Sequence, residues 1–415
     1  MKSRRLWQFL PFWLFLMFFK LGAALHFDSM SPLGERVLPI WIVGLVIGLA
    51  SFIQMLLDVP AGFLLDKFGY RRLLKLTTVI FIFATSFMFF GLSQWTYSLT
   101  LFLGCLGWLF FGPGVNAYVL SHSSSKDAGR FMSLRVGFDS LGVVIASVFF
   151  AMLINLSVQM LATVVIIFLA IAYVLISFAP EDVFVVKDEK KLPTQNYYIK
   201  RQFLHKVIKI IVKLNPASMM LLLTGLSTSI FYAIIWFVIP LVIAHSGHPG
   251  VMAWGLGIFD LAIVFVGFAL GKLTDRINKK ILIFAGLLVA SIAGMLLGFS
   301  FGILFILIGF IASVGNEIAS LSLWSWLYAL DKEHAEDGLV SGVINLFQNL
   351  GWAIGPVLGG FLYDILGASW TIMIGGVSIL VVWGIFSVRM GSSYHTLSLE
   401  YGSVPRKPHN ARSKS

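Results

Sequence analysis

Long apolar runs, each closed by a short polar break, follow one another from one end of the chain to the other. They cover residues 8–28, 38–64, 73–92, 96–120, 134–154, 157–178, 217–244, 250–273, 281–297, 301–328, 339–365 and 369–388. A hydrocarbon core of roughly 30 Å is crossed by about 20 helical residues, and every run approaches or exceeds that length. The pattern predicts an all-α membrane protein with twelve spans.

Composition agrees with the pattern. The chain is 58% hydrophobic and 12% charged, with a mean hydropathy of +0.91, far from a soluble domain. The first run, behind MKSRR, has the outline of a signal peptide. LGAALHF is a poor cleavage site and Lys20 interrupts the run, so the segment is expected to stay as span one. The single cysteine, Cys105, lies within span four and has no intrachain partner.

Charge placement sets the expected orientation. Of 30 Lys and Arg, 28 fall at the termini or on alternate loops and helix ends, and only Lys20 and Arg36 lie elsewhere. The positive-inside rule then puts both termini in the cytoplasm and the protein in the cytoplasmic membrane. The net charge of +11 is accounted for by topology, and no nucleic-acid partner is implied.

The charge between spans two and three is concentrated in GFLLDKFGYRR (62–72), and GKLTDRINKK (271–280) repeats its outline with an offset of 209 between Gly62 and Gly271 and between Asp66 and Asp275. A second pair of segments, 129–151 and 338–360, aligns with the same offset, for instance Gly129 with Gly338 and Phe138 with Phe347. Two unrelated motifs in one register imply a duplication of six spans plus six. The expected units are 1–179, a cytoplasmic linker at 180–215, 216–390 and a disordered tail at 391–415.

The whole chain resembles the major facilitator superfamily (MFS) of transporters. Gly62, Asp66, Lys67, Gly69, Arg71 and Arg72 match its loop signature Gly-x-x-x-Asp-Arg/Lys-x-Gly-Arg-Arg/Lys, and Gly271, Asp275, Arg276, Lys279 and Lys280 form a degenerate copy. In span eleven, GWAIGPVLGG supplies Gly351, Gly355, Pro356, Gly359 and Gly360, similar to the Gly-x-x-x-Gly-Pro-x-x-Gly-Gly motif of antiporters, here as helix-packing residues. The resemblance implies two six-helix bundles rocking about a midplane site. Glycine permits close approach of two helices, and a carboxylate suits a helix N-terminus. Asp66 is therefore expected against the start of span eleven, and Asp275 against that of span five near Arg130, as a conformational latch. Asp58, one turn before Gly62, is grouped with it.

Ionisable residues at membrane depth cost roughly 3 kcal/mol or more and face a cavity or a partner. Lys20, Asp139, Asp260 and Glu317 are the candidates for the substrate and proton pathway, with Lys20 as counter-charge to Asp260 or Glu317, or as an anchor for an anionic solute. A structural ion pair joining the halves is the rival reading. Asn116, Asn345, Gln348 and Asn349 are the polar cavity candidates, and Gly112-Pro113-Gly114 predicts a bend in span four. Trp108, Trp236, Trp254, Trp324 and Trp352 are either cavity walls or lipid-facing. His26, His245 and His248 fall near span ends and are expected to be solvated at the interface.

No nucleotide-binding loop, catalytic triad or metal-ligand cluster is found, so neither an enzyme nor a cofactor is expected. Residues 197–214 form an amphipathic segment, with Lys206, Lys209 and Lys213 on one face, suited to anionic lipid headgroups. The function expected is secondary active transport of a small solute by a monomer, coupled to protons, with metabolite or drug efflux by antiport slightly favoured. Uptake by symport or facilitation is the alternative, as is a non-transporting receptor or assembly factor on the same scaffold.

Overall fold

The computed structural model describes residues 8–123, 127–182, 216–246, 254, 256–263, 265–266, 277–331 and 337–392; within these it leaves out the side chains of residues 59, 63, 66, 128–129, 216–217, 328–331, 337–342, 344 and 389–392. The described residues are helical almost throughout and contain no strand. Ten segments are long and apolar enough to cross a membrane. The last, within Asp337–Ser392, is two helices in one, because Gly367 takes φ 77° and ψ 176° in its middle. These are spans eleven and twelve. The described part of span eight, 256–263, is helical as well. The chain is an all-α membrane protein in the expected twelve-span arrangement.

Two spans depart from the sequence expectation in a way that matters for the site. Span one was expected to end at residue 28, but its helix runs Leu10–Glu35. Asp28, Ser29, Ser31 and Pro32 are all buried within it. Ser29 is accommodated in this buried turn because its Oγ–H is shared between the carbonyls of Leu25 and His26, each at 2.8 Å. Span four is split into Gln94–Trp108 and Phe111–His122. Pro113 explains the break: it has no N–H for the carbonyl of Leu109, and its ring crowds that carbonyl.

Span one packs against spans five and six, and span nine against span ten, while span seven lies along the Asp337–Ser392 unit. Among the described residues the halves meet where span two lies on the span eleven unit, where span one lies on span seven, and where span eight reaches span five at Gly257. Gly69, with φ 88°, turns the chain between Ile40–Phe68 and Tyr70–Ser86. The connection at 67–75 lies at what we call the basic end; the opposite end, where spans one and two join, is the far end.

Glycines mark where the halves touch. At the far end a Cβ on Gly44 would strike the Pro356 carbonyl oxygen and come 3.1 Å from Gly360 Cα; on Gly48 it would lie 2.5 Å from the Ala353 carbonyl oxygen. A Cβ on Gly257 would meet Ser147 Oγ at 2.6 Å. Toward the basic end, a Cβ on Gly62 or Gly137 would meet nothing within 4 Å among the described residues. The sequence reading placed a close helix approach at Gly62. Among the described residues the tight glycine contacts between the halves include those of Gly44 and Gly48.

Candidate functional site

A cavity of about 460 Å³ lies between the two halves, and spans one, two, four, five, seven, eight and eleven contribute to its wall. The charged residues among its described lining are Lys20, Asp28 and Asp260. Trp108, Trp236 and Trp352 also line it, while Trp254 is exposed and Trp324 packs against Gly225.

Lys20 projects over the Trp108 ring, with Nζ 4.5 Å from its centroid and 5.4 Å from that of Phe111. A ring face attracts a cation, and more strongly where water is excluded. Among the described residues no carboxylate lies within ion-pair distance of this ammonium, although Asp139 and Asp260 are within its electrostatic reach. Asp139 is buried and pairs at 3.2 Å with Arg135, one turn earlier on span five. Arg135 lies on the helix Ala128–Leu153, one turn before Asp139, and offsets its charge.

Asp260 is half-buried and acts electrostatically on Asp28, Glu317 and Tyr232, so it stands at the centre of the charged groups. Asp28 was not among the sequence candidates. It is 3% exposed, faces the cavity, and its Oδ2 has no hydrogen-bond partner among the described residues. The signal that could have found it is the polar run Asp28-Ser29-Met30-Ser31 before Pro32, had the helix been carried past residue 28. Glu317 does not line this cavity; it lies beyond Asp260, next to buried Asn316. Asn116, Asn345 and Gln348 are likewise outside the lining.

Asn349 is in the wall, and its Nδ2 donates to Asp58 Oδ2 at 2.6 Å. This bond spans 291 residues of sequence and joins the halves on the basic side of the cavity. Sequence reasoning had named both residues but placed them in different groups, Asp58 with the loop latch. At the far end His245 Nε2 lies 3.2 Å from Glu35 Oε2, again across the halves.

The remaining latch candidates are distributed differently. The side chain of Asp66, and all of Gly271, Asp275 and Arg276, lie outside the described residues. Arg72 and Arg130 are exposed. Arg71 turns inward on its own half: Nε donates to the Ile176 carbonyl at 3.1 Å, Nη2 to that of Ser177, and its backbone N–H to the Asp182 carboxylate at 3.1 Å. A guanidinium there meets the carbonyls left unpaired at the C-terminus of span six, Val158–Phe178. Tyr118 Oη donates to Pro180 O at 2.6 Å, and His122 Nε2 lies 2.8 Å from Glu181 O. His26 also departs from expectation: it is fully buried, with Nδ1 3.0 Å from Thr85 Oγ1, because the longer span one keeps it inside the bundle. His248 lies outside the described residues.

In span eleven, Gly351, Gly355 and Gly359 form a stripe against span seven, where an added Cβ would meet Ser229 Cβ at 2.5 Å, Ala233 Cβ, and Phe237 Cδ1 at 3.2 Å. Pro356 and Gly360 face span two instead. One motif thus serves packing within a half and contact between halves.

Comparison with known proteins gives a consistent result. The sequence profile of the Major Facilitator Superfamily matches residues 8–354. A protein of Enterobacter sp. (strain 638), "Multidrug resistance protein MdtH", is 24% identical over 371 residues, covering 85% of this chain and 87% of that one. Among solved structures, a bacterial homolog to the human lysosomal transporter Spinster, in an inward-facing and unoccupied conformation, superimposes with a TM-score of 0.75 at 13% identity, covering 94% of this chain and 97% of the other. The fucose:proton symporter FucP of E. coli gives a TM-score of 0.55 at 16% identity, covering 91% and 97%. With its two six-span halves around a central cavity and a profile match across most of its length, the chain belongs to the Major Facilitator Superfamily of membrane transporters.

Proposed function

We propose that the protein is a secondary active transporter in the cytoplasmic membrane, moving a small solute by alternating access in exchange for protons. The observation that carries this reading is the cavity between the halves, with ionisable residues from both halves in its wall. A carboxylate in such a place can hold a proton on one side of the membrane and release it on the other, provided that the halves rock about it. Asp260 is the first candidate for this role and Glu317 the second, since both belong to one electrostatic cluster. Efflux is favoured by the likeness to the Enterobacter "Multidrug resistance protein MdtH". In this reading the termini, the 180–215 linker and the 391–415 tail face the cytoplasm; residues 197–214, the segment expected to bind anionic lipid, lie outside the described residues.

The test is transport in proteoliposomes by Asp260→Asn and Glu317→Gln. Counterflow exchanges solute without net proton movement, whereas accumulation driven by a pH gradient requires coupling. The coupling residue is the one whose loss abolishes accumulation and spares counterflow. If both variants accumulate solute as well as the parent, these carboxylates are a structural cluster and coupling lies elsewhere.

A further inference from the structure

The wall of the cavity restricts what the solute can be. Its charged described lining is one cation and two carboxylates, and the cation is engaged: Lys20 sits on the Trp108 ring, in the field of Asp139. Asp260 shares the field of this ammonium, whereas Asp28 has no such match. Asp28 comes from the first half and Asp260 from the second, both line the cavity, Asp260 acts electrostatically on Asp28, and Oδ2 of Asp28 is buried without a partner among the described residues. A buried carboxylate oxygen with nothing to bind is costly to keep, and the deficit is made good by a proton, a donor or a cation. Phe27, Trp236 and Trp352 stand on the same wall. Ring faces in a dry site attract a positive centre and bury its apolar substituents.

We propose that the cavity selects an amphipathic organic cation, its charged centre held between Asp28 and Asp260 and its apolar body against the aromatic wall. This rests on the transport reading above and names the substrate class of the same site. An organic anion would have Lys20 alone to meet it and would bring two carboxylates close to its charge, which is repulsive. Because one carboxylate belongs to each half, a bound cation favours the conformations in which the halves are close around it.

Tetraphenylphosphonium and tetraphenylborate have nearly the same shape and opposite charge, so they separate the role of charge from that of apolar fit. Their binding to the purified full chain, measured at equilibrium without a gradient, is the test. The phosphonium is expected to bind and the borate to bind at least about tenfold more weakly; Asp28→Asn is expected to weaken the phosphonium about tenfold, the loss of one charged partner, and Asp28→Glu to restore most of it. Elution profile and melting temperature separate a misfolded Asp28→Asn protein from a folded one, and Asp260→Asn repeats the measurement from the other half. Absence of phosphonium binding, equal or tighter borate binding, or phosphonium affinity unchanged in both folded variants overturns the proposal. Since binding is read without transport or protons, these results leave the coupling reading to be judged by the counterflow experiment alone.

Discussion

At the scale of single residues, the contact between Asp58 and Asn349 makes the sharpest claim, because it is a charge-assisted hydrogen bond between the two halves. Asp58→Ala and Asn349→Ala are each expected to destabilise this conformation by about 1–3 kcal/mol, the range for a bond to a charged partner. The double variant is expected to cost little more than either alone, since the second change removes a partner already lost. A thermal-melt cycle on purified protein checks this, and additive losses would mean that the two side chains do not communicate. Both residues were legible as polar positions in apolar runs. Their pairing was not, because hydropathy locates a residue along a span and says nothing of which neighbour it faces. Lys20 was legible for the same reason, and its seat on Trp108 was hidden for the same reason. Asp28 and His26 were misread together, since both depended on where span one ends.

At the scale of helices, one substitution is expected to do different things at different glycines. Gly355→Ala drives a Cβ into Ala233 within the second half and is expected to lower stability by about 1–3 kcal/mol, read as a drop in melting temperature. Gly44→Ala meets Pro356 across the halves, so the strain can be relieved by parting the far end. Its expected signature is faster modification of a cysteine at Ser31, in a Cys105→Ala background, by a reagent applied from the far side; an unchanged rate with a lowered melting temperature would count against a movable contact. At Gly62 an added Cβ meets nothing within 4 Å among the described residues, so Gly62→Leu is the complementary case. It is expected to leave melting unchanged while slowing transport, if the halves must close there later in the cycle. The helices themselves were almost wholly legible, because about 20 apolar residues admit few other structures in a bilayer. Their breaks were less so: the Gly-Pro-Gly bend was expected in span four, but the break falls a turn earlier, at the carbonyl the proline leaves unpaired.

At the scale of the molecule, the six-plus-six duplication was visible in the constant offset of 209, whereas which end is closed was not, since one sequence encodes every state of the cycle. Orientation is open to direct measurement. In a Cys105→Ala background, cysteines introduced at residues 195 and 410 are expected to react in intact cells only with membrane-permeant reagents, and one at residue 33 with impermeant reagents as well. Labelling of residue 195 from outside would reverse the orientation.

The clasp around Arg71 bears on how the chain is made. Arg71, Tyr118 and His122 all hold the stretch from Ile176 to Asp182, so every group in the clasp is translated before the second half begins. The first six spans therefore complete their own fastening while span seven is still unsynthesised, and the ribosome's order of work matches the order in which contacts become available. It follows that the natural place to cut the gene in two lies after Asp182, beyond the last apolar residue of span six. Fragments 1–182 and 183–415 made from separate messages are expected to reassemble into a working carrier, and a cut before Ile176 to yield a first fragment that is degraded. Pulse-chase lifetimes of the two first fragments measure the difference.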